Sequence, residues 1–148
     1  MRIASYLAVS LGVLTGLGLF TFHYAEGFSY FSQDPKACAN CHIMNDNYDS
    51  WSKSSHHAAA LCVDCHMPQN IVEKLIAKAD NGYRHSKAFT LQNFHQPIMI
   101  IPRNAEILQN NCVRCHQTLV GDLHGNGMEQ SSIRCIQCHV HVGHGSQR

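Results

Sequence analysis

The chain has 148 residues, with eleven Lys and Arg against ten Asp and Glu, and a formal charge of +1. That balance argues against nucleic acid as a partner, because phosphate binding needs a clustered basic patch. Only 14% of residues are charged, while twelve His and eight Cys stand far above ordinary usage; the double excess points to a metal or cofactor before any motif is read.

The first element is apolar. Ile3 to Tyr24 contains no Lys, Arg, Asp or Glu. A helix of about 20 residues crosses a hydrocarbon core of about 30 Å, so a transmembrane helix is expected within residues 1–25. Phe20, Phe22, Tyr24, Phe28, Tyr30 and Phe31 gather at its far end, as suits a membrane–water interface. A cleaved signal peptide is the alternative. The basic start is thin (Arg2 alone), the apolar run is long, and no clean small-x-small cleavage site follows it before Glu26; these features favour a retained single-pass anchor. Arg2 would then stay cytoplasmic and residues 26–148 would lie outside.

All eight cysteines fall into Cys-x-x-Cys-His motifs: Cys38/Cys41/His42, Cys62/Cys65/His66, Cys112/Cys115/His116 and Cys135/Cys138/His139. This is the c-type haem attachment pattern. Its spacing brings two thiols to the two vinyl groups of one porphyrin and the following His to the iron. Zinc ribbons and disulfides also use such cysteine pairs, but neither needs a His after every second Cys. The motifs pair up: the first two begin 24 residues apart, the last two 23 apart, and 50 residues separate the second from the third. Two paired-haem units, about 36–68 and 110–146, read as a duplication. Four covalent haem c groups would supply much of the apolar core. The expected fold is mainly α with much irregular chain: a transmembrane helix plus a small tetrahaem cytochrome c domain.

Between the motifs, Asn70 can cap a helix with Glu73 three residues on. Ile71, Val72, Leu75, Ile76 and Ala79 form an apolar stripe at helical spacing, Lys74 and Lys78 share another face, and Gly82 is expected to end or bend the helix. A second helix is expected from about Asn104 into the third motif, with Pro102 just ahead. Phe94 to Pro102 carries two prolines in an apolar run and should be extended. Gly143 to Arg148 is short and polar.

Four haems need up to eight axial ligands. The motif histidines supply four. His23, His56, His57, His85, His95, His124, His141, His144 and the methionines are the other candidates. Bis-His iron suits electron transfer, whereas an open position suits chemistry on a small molecule.

The anchor, the four paired motifs, the Met44 of Cys38-x-x-Cys41-His42-x-Met44, and Trp51-x-x-Ser54-x-x-His57 ahead of Cys62-Val63-Asp64-Cys65-His66-Met67-Pro68 together resemble the NapC/NirT family of membrane-anchored tetrahaem quinol dehydrogenases. The resemblance covers nearly the whole chain. The short length and compact end look most like the branch serving cytochrome c nitrite reductase. The resemblance implies oxidation of menaquinol at the inner membrane and delivery of electrons to a periplasmic multihaem reductase. It implies Met44 as an iron ligand of haem 1, with His42 the alternative. It implies His66 with His144 on haem 2, His141 being the rival of His144. It implies His116 with His57 on haem 3, His56 being the rival of His57. Haem 4 would keep His139 and take its other ligand from the partner. A thioether ligand raises a haem's potential relative to a second imidazole, which suits Met44 at electron entry.

Quinol oxidation also releases protons, so an ionisable group must stand near the first haem. The resemblance implies Lys78 and an acidic residue. Seven residues after Lys78, where the carboxylate is expected, stands His85; Asp80 is the nearest acid. Both stay open for the acidic role. A second functional reading is an anchored tetrahaem carrier that serves another oxidoreductase, such as nitrate reductase, without touching quinol. A terminal reductase is disfavoured, because the catalytic Cys-x-x-Cys-Lys motif of pentahaem nitrite reductases does not occur.

Overall fold

The computed structural model describes residues 2–125 and 134–145, the side chains of 122–125 excepted. The His124 side chain and the tail beyond Gly145 therefore lie outside the described residues. The chain divides into two compact units, Met1–Ser32 and Gln33–Arg148.

The first unit is helix α1, Arg2–Tyr24, followed by a 3-10 turn at Gly27–Phe31. No residue of α1 is buried and its mean hydropathy is 1.9 over 18 residues. That profile matches a lipid-facing span rather than a core helix. Glu26 adopts the left-handed conformation, with φ of 54°, and its carbonyl accepts from the Ser29 N–H at 2.8 Å. This reversal brings Phe28 edge-on to Phe22 with ring centres 5.0 Å apart. Gly27 leaves room for that close approach, because a Cβ there would meet the Phe22 ring and make it shift. The turn thus belongs with the helix that precedes it.

The second unit is helical, with no strand among the described residues. Its elements are α2 (Pro35–Cys38), a 3-10 turn (His42–Met44), α3 (Asn45–Ser52), α4 (Cys62–His66), α5 (Ile71–Leu91), α6 (Pro102–Gly125) and α7 (Cys135–Cys138). α4 lies along α6, α2 meets α3 and α4, and α7 meets α6. Short elements cap themselves with their own side chains. Asp34 accepts from the Lys36 N–H ahead of α2. Asp64 reaches back to the Leu61 N–H at 2.9 Å, and Gln137 to the Arg134 N–H at 3.1 Å. Each satisfies one of the donors that a helix start leaves open.

Two helices depart from the expectation. α5 starts at its expected cap, with Asn70 Oδ1 accepting from the Val72 and Glu73 N–H groups at 2.9 and 3.3 Å. It then runs through Gly82 to Leu91. One interior glycine costs about 1 kcal/mol relative to alanine, which a 21-residue helix tolerates. α6 begins at Pro102 rather than near Asn104, as proline is pre-organised for the first helical position. The segment from 93 to 101 is non-helical, as expected, and carries a cis bond at Gln96–Pro97.

The apolar stripe of α5 is exposed: Ile71, Val72, Leu75 and Ile76 all keep half or more of their surface. The helix instead buries Ala77, which is 2% exposed, on the face that meets α6 through Asn104 Nδ2 to Asn81 Oδ1 at 2.9 Å. Among the described residues, the buried apolar side chains are Pro35, Val63, Ala77 and Ala105.

The Asn70 cap is open to test. Asn70→Ala removes both capping bonds and should destabilise the haem-loaded chain by about 1 kcal/mol, read as a lower thermal midpoint by circular dichroism with unchanged visible absorbance.

Candidate haem-binding framework

Three of the four motifs are built alike. In α4, α6 and α7 both cysteines sit on one helical turn, so the two thiols project to the same side. Regular helix ends at the motif histidine. His66 closes α4, His139 caps α7 with φ −103° and ψ 55°, and His116 breaks α6 with φ −105° and ψ 18°. The first motif differs. α2 stops at Cys38, and Cys41 leads into the 3-10 turn that carries His42 and Met44. Met44 N–H donates to Cys41 O at 2.8 Å, and the Met44 sulfur lies 3.8 Å from Asn47 Nδ2. His42 is exposed, whereas Met44 is half-buried.

The motifs neighbour one another in sequence order. The Cys38 and Cys62 thiols share a hydrogen bond, which lowers Cys38 and raises Cys62. Burial raises Cys65, with Asp64 and then Cys115 adding to it while Arg114 opposes. Burial also raises Cys112, to about 11, with Cys135 and then Cys65 adding. As thioethers these sulfurs do not titrate, so the shifts mark proximity: first motif to second, second to third, third to fourth.

Two pairs of imidazoles come close together. The His66 and His144 ring centres are 6.0 Å apart with planes 16° from parallel. The His56 and His116 centres are also 6.0 Å apart, with planes at 67°. A metal–imidazole bond is about 2 Å and a ring nitrogen sits about 1 Å from its ring centre, so two imidazoles on opposite sides of one metal have centres about 6 Å apart. Both pairs have that separation. No cluster of three or more His, Cys, Asp or Glu donors occurs among the described residues. Imidazoles paired at this separation fit haem iron, which needs no further donors from the protein.

The distal side of both pairs is held by one loop. His56 Nδ1 donates to Val142 O at 2.9 Å, and Gly145 N donates to Ser50 Oγ at 3.0 Å. The His56 bond commits Nδ1 as donor and leaves Nε2 with a lone pair, the usual arrangement for a metal-bound histidine. Burial keeps His66 neutral, at about 4, with His144 adding; neutral imidazole is the ligating form. His57, the residue the resemblance implies for haem 3, stands elsewhere than its rival His56. His57 is exposed and lies edge-on to Trp51 at 5.0 Å, while Trp51 Nε1 donates to Ala60 O at 3.1 Å. His141 is exposed, and its ring lies beside Gly145 rather than against His66. His139 is exposed at the end of α7.

Lys78 projects from α5 within electrostatic reach of Cys38. Its pKa is lowered, first by burial; Cys38 opposes the shift and Lys74 adds to it. His85 lies two turns further along the same face. Burial of its ring pushes it below the ordinary 6.5, although the residue as a whole is exposed. Asp80 points the other way. Both of its oxygens accept from Arg84 Nε at 3.0 Å, and Arg103 Nη1 approaches at 3.4 Å, tying α5 to the start of α6.

One residue had no functional signal in the sequence. Asn111, directly before Cys112, is 7% exposed and bonds to Cys65, Met67, Gln69 and Arg114. Only its place beside a motif hinted at a role.

An apolar N-terminal helix ahead of haem-attachment motifs defines a membrane-anchored c-type cytochrome. The model of the NapC/NirT cytochrome c family, N-terminal region, matches residues 1–148. The chain is 38% identical to the cytochrome c-type protein NrfH of Wolinella succinogenes, over 95% of this chain and 85% of that protein. It is 35% identical to the cytochrome c nitrite reductase subunit NrfH of Nitratidesulfovibrio vulgaris, over 81% of this chain and 72% of that one. A crystal structure of the cytochrome c nitrite reductase NrfHA complex bound to the HQNO inhibitor matches with a TM-score of 0.64 and 28% identity, covering 88% of this chain and 86% of the other. The chain belongs to the NapC/NirT cytochrome c family and carries covalently bound haem c.

Proposed function

We propose that the chain is the quinol-oxidising subunit of a nitrite reductase complex. It draws electrons from menaquinol in the membrane and delivers them through four haem c groups to a periplasmic catalytic subunit. The observation that carries this reading is Lys78 beside Cys38 at one end of an ordered row of four attachment sites. Likeness to the NrfH subunits over most of the chain supports the partner, and α1 supports the anchor.

Haem supplies one-electron redox chemistry; the chain must supply order, ligands and a route for protons. The residues for haem 2 are His66 and His144. For haem 3 they are His116 and His56, with His56 taking the place expected of His57. Met44, half-buried in the distinct first motif, is the ligand for haem 1 in preference to the exposed His42. His139, exposed at the end of α7, would hold haem 4, and the resemblance implies that the partner would supply the other ligand.

Lys78 and His85 are the proton-handling pair. A desolvated lysine releases its proton more readily than a solvated one, and a histidine with a lowered pKa is neutral at pH 7 and can accept a proton. Asp80 lies on another face of the helix and is engaged by Arg84 and Arg103.

Lys78→Leu should retain all four haems by pyridine haemochrome assay yet lose reduction by a menaquinol analogue; normal quinol turnover would leave a carrier without a quinol site. Because His85 must be neutral to accept a proton, turnover should fall as pH drops through its lowered pKa, and His85→Gln should remove that acid limb. His56→Ala should convert one low-spin haem to high spin, whereas His57→Ala should leave the low-spin count unchanged, as read by electron paramagnetic resonance.

A further inference from the structure

We infer that Asn111 is a positioning residue that locks the second haem site to the third, an inference that rests on the bis-His reading above. Asn111 carries two amide hydrogens and a carbonyl oxygen with two lone pairs. All four are used. Nδ2 donates to Cys65 O at 3.0 Å and to Met67 O at 2.9 Å. Oδ1 accepts from Gln69 Nε2 at 3.2 Å and from Arg114 Nε at 3.4 Å.

The identity of the partners gives the arrangement its meaning. Cys65 and Met67 flank His66, so the amide holds the peptide carbonyls on both sides of the histidine assigned to haem 2. Arg114 lies between Cys112 and Cys115, inside the third motif, and Asn111 itself precedes Cys112. Gln69 leads from the second motif toward α5. One buried side chain therefore fixes the backbone at an iron ligand of one site against the attachment cysteines of the next. Electron passage between neighbouring haems falls steeply with separation, and a partner that orients a ligand tunes the metal it holds.

No other side chain of this size meets the demand. Leucine has the volume without the bonds and takes the Asn111 donor away from the Cys65 and Met67 carbonyls. Aspartate keeps the bonds to Gln69 and Arg114 but turns a carboxylate onto two carbonyl oxygens.

The test needs neither quinol nor the partner subunit. Asn111→Leu is prepared as the haem-loaded full-length protein, and four covalent haems are confirmed. Its electron paramagnetic resonance spectrum and redox titration are compared with wild type, followed by rapid chemical reduction. The resonance lines and midpoint potential of the His66-ligated haem should shift, and transfer from haem 2 to haem 3 should slow about tenfold or more. Haems 1 and 4 should keep their potentials. Asn111→Ser, smaller and still able to donate one bond, should show the same changes in weaker form, and it carries the test if the leucine variant does not mature. Unshifted lines and wild-type transfer in a variant with only a lower melting temperature would reduce Asn111 to a packing residue and overturn the proposal. Because the readouts bypass quinol, their failure is distinguishable from failure of the quinol reading.

Discussion

Burial is scarce in this chain, and the rest of its organisation follows from that scarcity. A domain of about 115 residues ordinarily hides many large apolar side chains. Here the buried apolar set among the described residues is one proline, one valine and two alanines. Apolar contact within the polypeptide therefore does little to hold the helices. Long-range order comes from polar contacts of definite geometry: Asn111 to the second motif, His56 to Val142, Ser50 to Gly145, Gln109 to Cys135 N–H, and Asp80 to two arginines. Each such bond contributes about 1 kcal/mol, far too little to fold a chain this size against conformational entropy. Covalently attached haem supplies the missing apolar mass, and the polar contacts then decide how the pieces sit around it.

The same scarcity explains what the sequence could and could not tell. The four motifs, the anchor and the Asn70 cap are local patterns, legible because spacing alone defines them. The extent of α5 was not legible. Gly82 reads as a stop, yet the helix formers on either side carry it to Leu91. The apolar stripe was legible as a pattern but not in direction, because periodicity shows that a face exists without showing what it faces. His56 and His57 cannot be separated by composition. Their difference lies in a carbonyl 86 residues downstream that fixes one ring and not the other. Asn111 reads as an ordinary polar residue until its partners are known.

The candidate quinol-side residues show how helix period sorts residues that sequence distance confuses. Asp80 is closer to Lys78 along the chain than His85 is. On a helix, two residues of separation turn a side chain to the opposite face, while seven bring it back. Asp80 is consequently drawn into a partly exposed ion-pair network, worth little individually. His85 shares the surface of Lys78, and its imidazole offers at neutral pH a proton-accepting nitrogen where a carboxylate offers an oxygen.

The pairing of His66 with His144 also has a consequence in time. The two rings that face each other come from opposite ends of the haem-bearing unit, and the loop bearing the second is held by residues 50 and 56 near its beginning. A chain made from its amino end presents Cys62, Cys65 and His66 long before residue 144 arrives. Under the ligand pairing proposed above, the second site stays half-built until the last segment is made, and its closure draws that segment back onto the first. On that proposal, completion of the ligand set and completion of the fold are, for this haem, the same event.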